Sequence, residues 1–235
     1  MAIPAQEVAK KFDRVASTYD FLTGLNPGYG DHVAQSARRM QLGPKARILD
    51  LCCGTGTSTA AIRSAYPDAE IVGLDISAGM LDKARKKPNL HATFIHGDGM
   101  DPGAHVEGTF DGILMAYGIR NMPDKDVALA NVLPLLKPGG VIAFHEYSVA
   151  DSAWSTAVWN AVCWTIIIPG GVLTAPGSDI YTYLRRSVVD FDGVAAFEQR
   201  LLRHGFIDVR TEPMAGWQRG ILHTFLARRP AEASA

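Results

Sequence analysis

The chain has 235 residues, of which 47% are hydrophobic and 20% charged, and its formal net charge is -1. A chain of this length can bury a sizeable core in one large domain or two small ones. The balanced charge excludes a protein whose overall field attracts nucleic acid, so we expect no nucleic-acid partner. Three cysteines do not make a disulfide framework, which indicates a reducing compartment such as the cytoplasm.

In chain order, the first predicted element is an amphipathic helix marked by Val8, Phe12, Val15 and Tyr19. A second helix is expected over residues 31–40, and strands and helices alternate after it. This alternation predicts an α/β fold with a mostly parallel sheet, helices on both faces and an antiparallel hairpin at the end of the chain. The predicted strands cover 47–51, 70–74, 92–96, 110–116, 141–145, 207–212 and 222–227, and the later predicted helices cover 57–65, 78–87, 124–136 and 194–203.

The first predicted strand runs into the turn 52–56, Cys-Cys-Gly-Thr-Gly, which opens a helix. Such a turn lets the backbone approach a ligand, although the same pattern also occurs as a plain tight turn. A dinucleotide site would need a third glycine where this chain has Thr59. Asp50 would repel a pyrophosphate but suits a ligand with an ammonium and a sulfonium. Because Asp75 ends the next strand, where an acid binds ribose hydroxyls, the pattern favours a nucleoside with a cationic tail over NAD.

Two segments, Asp50-x-x-x-Gly54-x-Gly56 and Gly73 to Ser77, resemble the first two motifs of class I S-adenosylmethionine-dependent methyltransferases. The resemblance implies their Rossmann-like fold and S-adenosylmethionine as the cofactor. For Met80, core packing is the alternative to contact with the adenine, and for Asp98 it is a turn or helix-cap role. The residues that the resemblance assigns to the cofactor are Asp50, Gly54, Gly56, Asp75, Ile76, Met80, Asp98, Gly99, Met100 and Tyr117.

Further segments resemble one subfamily, the UbiE/MenG-type C-methyltransferases of quinone biosynthesis. They are Phe12 to Asp20, Gly118-Ile119-Arg120-Asn121, Lys137-Pro138-Gly139-Gly140 with Glu146-Tyr147-Ser148, Asp179 to Leu184, and Leu222-His223. The resemblance implies C-methylation of a quinol or related phenolic ring, without a metal. It departs at Phe21-Leu22-Thr23 and at Pro134. These departures leave open a methyltransferase that tailors an aromatic or polyketide secondary metabolite by O- or C-methylation, or a methyltransferase fold with altered chemistry.

The same resemblance implies the residues that act on the acceptor. Arg120 is assigned to catalysis, with Asn121 and Tyr19 beside it, because a cation stabilises a developing phenolate. An ion pair with Glu146 that holds the loop is the alternative for Arg120, and both roles are compatible. The weaker candidates for contact with the acceptor are Tyr181, His145, His223 and Tyr183, each of which is equally typical of a core or capping residue. Among them we favour Tyr181.

An uncharged segment covers residues 152–178. Within it we predict a helix over 153–168, ended by Pro169-Gly170-Gly171 and about 24 Å long, too short for the ~30 Å core of a membrane. The helix is either a core or dimer-interface helix, or an apolar lid over a lipophilic acceptor. A peripheral membrane contact and a homodimer are therefore both open. We expect one domain, with a helical lid at 1–44, a cofactor-binding core at 45–148, an acceptor lid at 149–192, and a helix and edge hairpin at 193–229.

Overall fold

The structure is a computed structural model that describes residues 28–174, 177 and 179–231. The predicted opening helix and its Tyr19 lie outside the described residues.

The described residues form a seven-stranded sheet in the order β3-β2-β1-β4-β5-β7-β6. Strands β1 to β5 pair in parallel, and β7 pairs antiparallel with both β5 and β6. The predicted fold class is therefore confirmed, including the antiparallel hairpin. The strands are β1 (Arg47–Leu51), β2 (Glu70–Asp75), β3 (Ala92–His96), β4 (Phe110–Ala116), β5 (Leu136–Tyr147), β6 (Ile207–Pro213) and β7 (Leu222–Arg228).

The helices at 57–65, 78–86 and 125–132 each connect two adjacent parallel strands, as in βαβ units. Asp124, predicted as the first residue of a helix, is instead the N-cap just before the observed helix. Its side chain accepts hydrogen bonds from the backbone N–H groups of Asp126 and Val127 (3.0 and 3.1 Å). The helices are α1 (Tyr29–Arg39), α2 (Thr57–Ala65), α3 (Ala78–Lys86), α4 (Lys125–Val132), α5 (Ala153–Val162), α6 (Ile168–Thr174), α7 (Ile180–Val189) and α8 (Val194–Arg203).

The central strands β1, β4, β5 and β7 are buried on both faces and read as nearly continuous apolar runs, whereas the edge strands β3 and β6 are partly exposed. Neighbouring residues of β1 point to opposite faces: Ile48 joins the core that α1 and α2 cover, and Leu49 joins the core that α4 and α8 cover. Both residues are 0% exposed. The carboxyl ends of β1, β2, β3 and β4 therefore meet at one edge, where open α/β sheets bind ligands.

Two predicted boundaries are wrong for local reasons. The helix expected over 124–136 stops at Val132, and Leu133–Leu135 forms a 3-10 turn around Pro134, which cannot donate a backbone hydrogen bond. The turn predicted at 137–140 is part of a longer β5, where Gly139 has a φ of 75° and its N–H donates to the carbonyl of Arg229 (3.1 Å).

The apolar helix does not end at Pro169 as predicted. A π-turn at Cys163–Ile167 joins α5 to α6, and the helix continues to Thr174. The π-turn widens the helix immediately before Pro169, and within it the hydroxyl of Thr165 donates to the carbonyl of Ala161 (2.7 Å). The helix is therefore longer than predicted, and the prediction that it is too short for the core of a membrane is wrong as well.

Judged by length and composition alone, one helix in the described part of the chain, Ala153–Val172, is long and apolar enough to cross a membrane. Its two sides differ. Trp159 and Cys163 are 1% and 0% exposed within the core, whereas Trp154 and Ile166 are 78% and 65% exposed. One side of the helix thus packs against the sheet domain, and the apolar residues on its other side are exposed.

Candidate active site

The turn after β1 supplies a concave stretch of backbone. Cys52, Gly54 and Gly56 have φ values of 61°, 53° and 83°, in the left-handed region that favours glycine. The two glycines serve different purposes. Among the described residues, a Cβ on Gly54 would meet nothing within 4 Å, whereas a Cβ on Gly56 would come within 2.8 Å of Leu90 Cδ1. Gly54 therefore borders open space that a ligand can enter, and Gly56 lets α2 begin close to its neighbours.

Asp50 lies below this turn, fully buried, with one oxygen satisfied. Its Oδ2 accepts hydrogen bonds from the hydroxyls of Ser58 (2.9 Å) and Thr59 (2.6 Å). Its Oδ1 has no hydrogen-bond partner within the described part of the chain. The pKa of Asp50 is raised to about 7, mainly by burial. The hydrogen bonds from the two hydroxyls oppose this shift, and the charge of Asp75 adds to it. A nearby cation would favour the ionised carboxylate, which is what a ligand with an ammonium and a sulfonium offers.

Asp75 ends β2 and braces the turn. Its Oδ2 accepts from the backbone N–H of Gly54 and its Oδ1 from the N–H of Ser77, each at 2.8 Å. A carboxylate can accept about four hydrogen bonds, so one carboxylate at this position can serve both the backbone of the turn and ribose hydroxyls. Ile76 follows, and its carbonyl hydrogen-bonds His96 Nε2 (2.8 Å).

The turn after β3 lies against the glycine turn. A Cβ on Gly99 would come within 3.2 Å of Cys52 Sγ. Asp98 accepts a hydrogen bond from the N–H of Met100 (2.8 Å), so the turn role considered for it is present, and its carboxylate remains at the strand edge. Met80 is 2% exposed and packs as a core residue. Together with Asp50, Gly54 and Asp75, this edge fits S-adenosylmethionine, because it combines open backbone, an unsatisfied buried carboxylate oxygen and a second acid.

Tyr117 follows β4 in a strained conformation, with a φ of 58°. Its carbonyl accepts hydrogen bonds from Arg120 Nη1 (3.1 Å) and Asn121 Nδ2 (2.9 Å). Its ring is 8% exposed and stacks on Tyr29, with ring centroids 5.2 Å apart. The backbone of Tyr117 thus fixes Arg120 and Asn121, two of the three residues that the sequence assigned to catalysis.

His145, a predicted contact of the acceptor, is 0% exposed and belongs to a chain of hydrogen-bonded buried polar groups. Its Nε2 hydrogen-bonds the Tyr117 hydroxyl (2.9 Å), and its Nδ1 hydrogen-bonds the Ser36 hydroxyl (2.7 Å). Ser36 continues to Thr224 (2.6 Å), which accepts from Arg39 (2.7 Å). Burial, and then the charges of neighbouring cations, lower the pKa of His145 to about 3. The neutral imidazole therefore connects α1 with the Tyr117 loop.

Arg120 forms the ion pair with Glu146 that the sequence suggested. The two side chains are 6% and 0% exposed, and the Nε of Arg120 also donates to the Ser187 hydroxyl (3.3 Å). Burial raises the pKa of Glu146, and the charge of Arg120 opposes that shift. Arg120 is held on three sides, which orients its charge.

A cavity of about 590 Å³ opens beside Arg120. On its wall the hydroxyl of Tyr183 donates to Asn121 Oδ1 (3.0 Å). Burial raises the pKa of Tyr183, the charge of Arg120 lowers it and that of Glu146 raises it. The lining includes Arg120, Asn121, Trp164, Tyr183, Arg185 and Phe191.

Among the weaker candidates, Tyr183 lines the cavity and Tyr181 does not. The ring of Tyr181 packs on Gly171, where no Cβ stands in its way. The sequence favoured Tyr181, but both tyrosines lie on one helix, and only the packing of α7 shows that Tyr183 is the one that meets Asn121. His223 is 6% exposed, and burial lowers its pKa to about 4.

The fold and the strand-edge site define a class I S-adenosylmethionine-dependent methyltransferase. The chain belongs to the ubiE/COQ5 methyltransferase family, which it matches over residues 1–226. It is 28% identical over 216 residues to the demethylmenaquinone methyltransferase of Anoxybacillus flavithermus, covering 88% of this chain and 90% of that protein. It is 29% identical over 218 residues to that of Staphylococcus aureus strain JH9, covering 90% and 89%.

Solved structures share the fold at low sequence identity. Human N-acetylserotonin methyltransferase in complex with S-adenosylmethionine has a TM-score of 0.67 at 18% identity, covering 97% of this chain and 61% of that one. The [4+2]-cyclase SpnF has a TM-score of 0.73 at 16% identity, covering 98% of both chains. Because a cyclase shares the fold, the acceptor and its chemistry have to be argued from the site.

Proposed function

We propose that this chain transfers a methyl group from S-adenosylmethionine to a ring carbon of a lipophilic quinol. The relatives from A. flavithermus and S. aureus are demethylmenaquinone methyltransferases, which supports a quinone-type acceptor. The observation that carries the proposal is Arg120, a buried cation held at the wall of a cavity whose lining also includes Met122, the neighbour of Gly99 at the cofactor edge. A phenolic oxygen that enters the cavity would meet this charge.

In the proposed reaction, S-adenosylmethionine supplies an activated methyl group when it is bound. Asp50, the Gly54 turn, Asp75 and Asp98 would hold it at the strand edge. Arg120 stabilises negative charge on the ring oxygen, because a cation beside a hydroxyl favours its ionised form. Asn121, fixed by its hydrogen bonds to Tyr117 and Tyr183, orients the ring. Orientation matters because the reacting carbon must approach the methyl in line.

We assign the exposed side of the apolar helix to binding the lipophilic tail of the acceptor. Trp164 lines the cavity and is 56% exposed, and Val172 further along the helix is 58% exposed. Arg185 stands over the Trp164 ring at 5.2 Å, so a cation lies beside the apolar side. A helix with exposed tryptophans and flanking arginine is typical of a membrane interface. We propose that a cytoplasmic enzyme contacts the membrane peripherally here, with the tail passing from the lipid into the cavity.

Vesicle flotation would test the membrane contact. Trp164→Ser combined with Ile166→Ser should reduce binding to vesicles that contain anionic lipid, and Trp217→Ser, an exposed tryptophan elsewhere, should not. Wild-type protein that stays in solution and forms a dimer through this helix would overturn the membrane contact.

The test of the reaction is incubation with isotopically labelled S-adenosylmethionine and a panel of demethylquinols, phenols and catechols, followed by mass spectrometry. The proposal expects the label on a ring carbon of a demethylquinol. Label on an oxygen, or only on polyketide-like aromatics, would favour an enzyme that tailors secondary metabolites. No transfer to any acceptor, despite cofactor binding, would indicate altered chemistry.

A further inference from the structure

The carboxylate of Glu146 is satisfied on one oxygen only. Its Oε1 accepts from Arg120 and from the backbone N–H of Tyr147 (2.9 Å). Its Oε2 has no hydrogen-bond partner among the described residues, although the side chain is 0% exposed. Buried carboxylate oxygens without partners are rare, because burial removes the water that would solvate them. Oε2 therefore marks a position that a polar group from outside the chain can fill.

A second unsatisfied atom lies on the same face of the sheet. His223 stands directly opposite Glu146 in the antiparallel pair of β5 and β7, and its Nδ1 has no partner within the described chain. Residues directly opposite in such a pair project to one face, with Cβ atoms about 4.5–5.5 Å apart. Two unsatisfied atoms at neighbouring positions indicate a small polar site.

This site adjoins the cavity through Arg120. Arg120 lines the cavity and donates to Oε1 of the same carboxylate. Met122, which also lines the cavity, packs next to Gly99 in the turn after β3. The carboxylate is therefore one residue away from the space proposed for the acceptor.

Methylation at carbon needs a base, and two of the neighbouring groups are unsuited to that role. Arg120 stays protonated in proteins, so it stabilises a phenolate without taking its proton. Both ring nitrogens of His145 are engaged by Ser36 and Tyr117. Burial raises the pKa of Glu146, which makes it a stronger base than an exposed carboxylate. The titratable or charged groups around Glu146 are Arg120, Tyr183, His223, Cys52 and Tyr117.

We propose that Glu146 Oε2 is the general base that receives the ring-hydroxyl proton of the acceptor, directly or through one water. This inference rests on the proposed function. The O–H bond breaks toward Glu146 as the ring carbon forms its bond to the methyl carbon, and the methyl–sulfur bond breaks with its electron pair left on sulfur. The methylated ring carbon then loses its hydrogen as a proton, the ring oxygen regains one from Glu146, and one proton leaves to solvent.

Proton counting tests the assignment without turnover. A nitrophenol, which absorbs visible light only as the phenolate, is bound to the protein loaded with S-adenosylhomocysteine at a pH below the nitrophenol's own pKa. Calorimetry in buffers of different ionisation enthalpy counts the protons released. Wild-type protein should bind the phenolate and release no proton, because Glu146 keeps it. Glu146→Gln should release one proton per phenolate, and the exposed control Glu107→Gln should match wild type. Binding as the neutral phenol, or release of one proton by wild type, overturns the assignment.

Acceptors of graded acidity give the kinetic test. Glu146→Gln should lower kcat on the least acidic acceptor by about 10²-fold or more. That factor should shrink toward one as electron-withdrawing groups ionise the acceptor in advance, and Glu146→Asp should restore part of the rate. An equal loss on every acceptor would show that Glu146 only holds Arg120. His223→Gln losses that shrink instead would assign the base to His223. If no acceptor is methylated by wild type, the proposed function itself fails.

Discussion

The cofactor end and the acceptor end of the site differ in how they are built. At the cofactor end, short turns at adjacent strand ends converge, and backbone N–H groups fix their acids, as the N–H groups of Gly54 and Ser77 fix Asp75. At the acceptor end, side chains from distant segments meet, as when Arg120 joins Glu146 and Ser187. The first end is preorganised by the sheet, whereas the second depends on how α5, α6 and α7 pack. Specificity for an acceptor can therefore change while cofactor binding stays the same.

The largest expected effect separates two tryptophans of the apolar helix. Trp159 is 1% exposed, and its ring centroid lies 4.8 Å from that of Tyr147. Trp159→Ala should reduce the free energy of unfolding by about 3–5 kcal/mol. Trp164→Ala should change it little, because Trp164 is 56% exposed, but should raise KM more for long-tailed than for truncated acceptors. Denaturant unfolding and steady-state kinetics on both variants check this, and a reversed pattern would contradict the division of the helix.

The next effect falls on the cofactor end alone. Asp75→Ala should weaken binding of S-adenosylmethionine by about 3 kcal/mol, since two hydrogen bonds from ribose to a charged group are lost. The loss of the bond to the Gly54 N–H adds to this, because it loosens the turn. Asp82→Ala, exposed on α3, serves as the control. Calorimetry that shows unchanged affinity for Asp75→Ala would remove Asp75 from the cofactor site.

How much the sequence predicted follows the same division. Asp50, Gly54 and Asp75 were predicted to lie together from a motif, because strand ends that are adjacent in a parallel sheet are separated by regular distances in sequence. Tyr183 was not preferred over Tyr181, and His145 was assigned to the acceptor. Those outcomes depend on which side of α7 faces Asn121 and on a bond between His145 and Ser36, which no local pattern encodes. The length of the apolar helix was missed because a proline after a π-turn does not stop a helix as an isolated proline does.

Acid should destabilise the fold through two buried histidines, His145 and His223. Burial lowers the pKa of His145 to about 3 and that of His223 to about 4, while an unfolded histidine titrates near 6.5. As the pH falls from about 6.5 to about 4, the unfolded chain binds protons that the folded chain does not, so stability falls. Each histidine should contribute a slope of up to about 1.4 kcal/mol per pH unit. Unfolding measured from pH 7.5 to 4.5 should show a smaller slope for His145→Gln, and an unchanged slope would contradict the neutral His145.

The smallest expected effect distinguishes the two glycines of the turn. Gly54→Ala should cost about 1–2 kcal/mol of stability through its left-handed backbone, and a Cβ there enters the space assigned to the ligand. Cofactor affinity should then fall at least about tenfold, or 1.4 kcal/mol. Gly56→Ala should lose more stability because its Cβ would meet Leu90. Gly54→Ala with undiminished affinity would show that the open space beside it is not the cofactor site.

We propose above all that Arg120 activates a phenolic acceptor, and the turnover of Arg120→Ala tests this role most directly. Removing Arg120 leaves Glu146 buried without its cation, so melting temperature and cofactor affinity must be measured alongside. At saturating acceptor and cofactor, Arg120→Ala should turn over roughly 10²–10³-fold more slowly. Arg120→Lys should recover only part of that loss, because a point charge does not reproduce a planar set of donors. Turnover of Arg120→Ala near the wild-type value would contradict the claim and leave Arg120 as a residue that holds its loop.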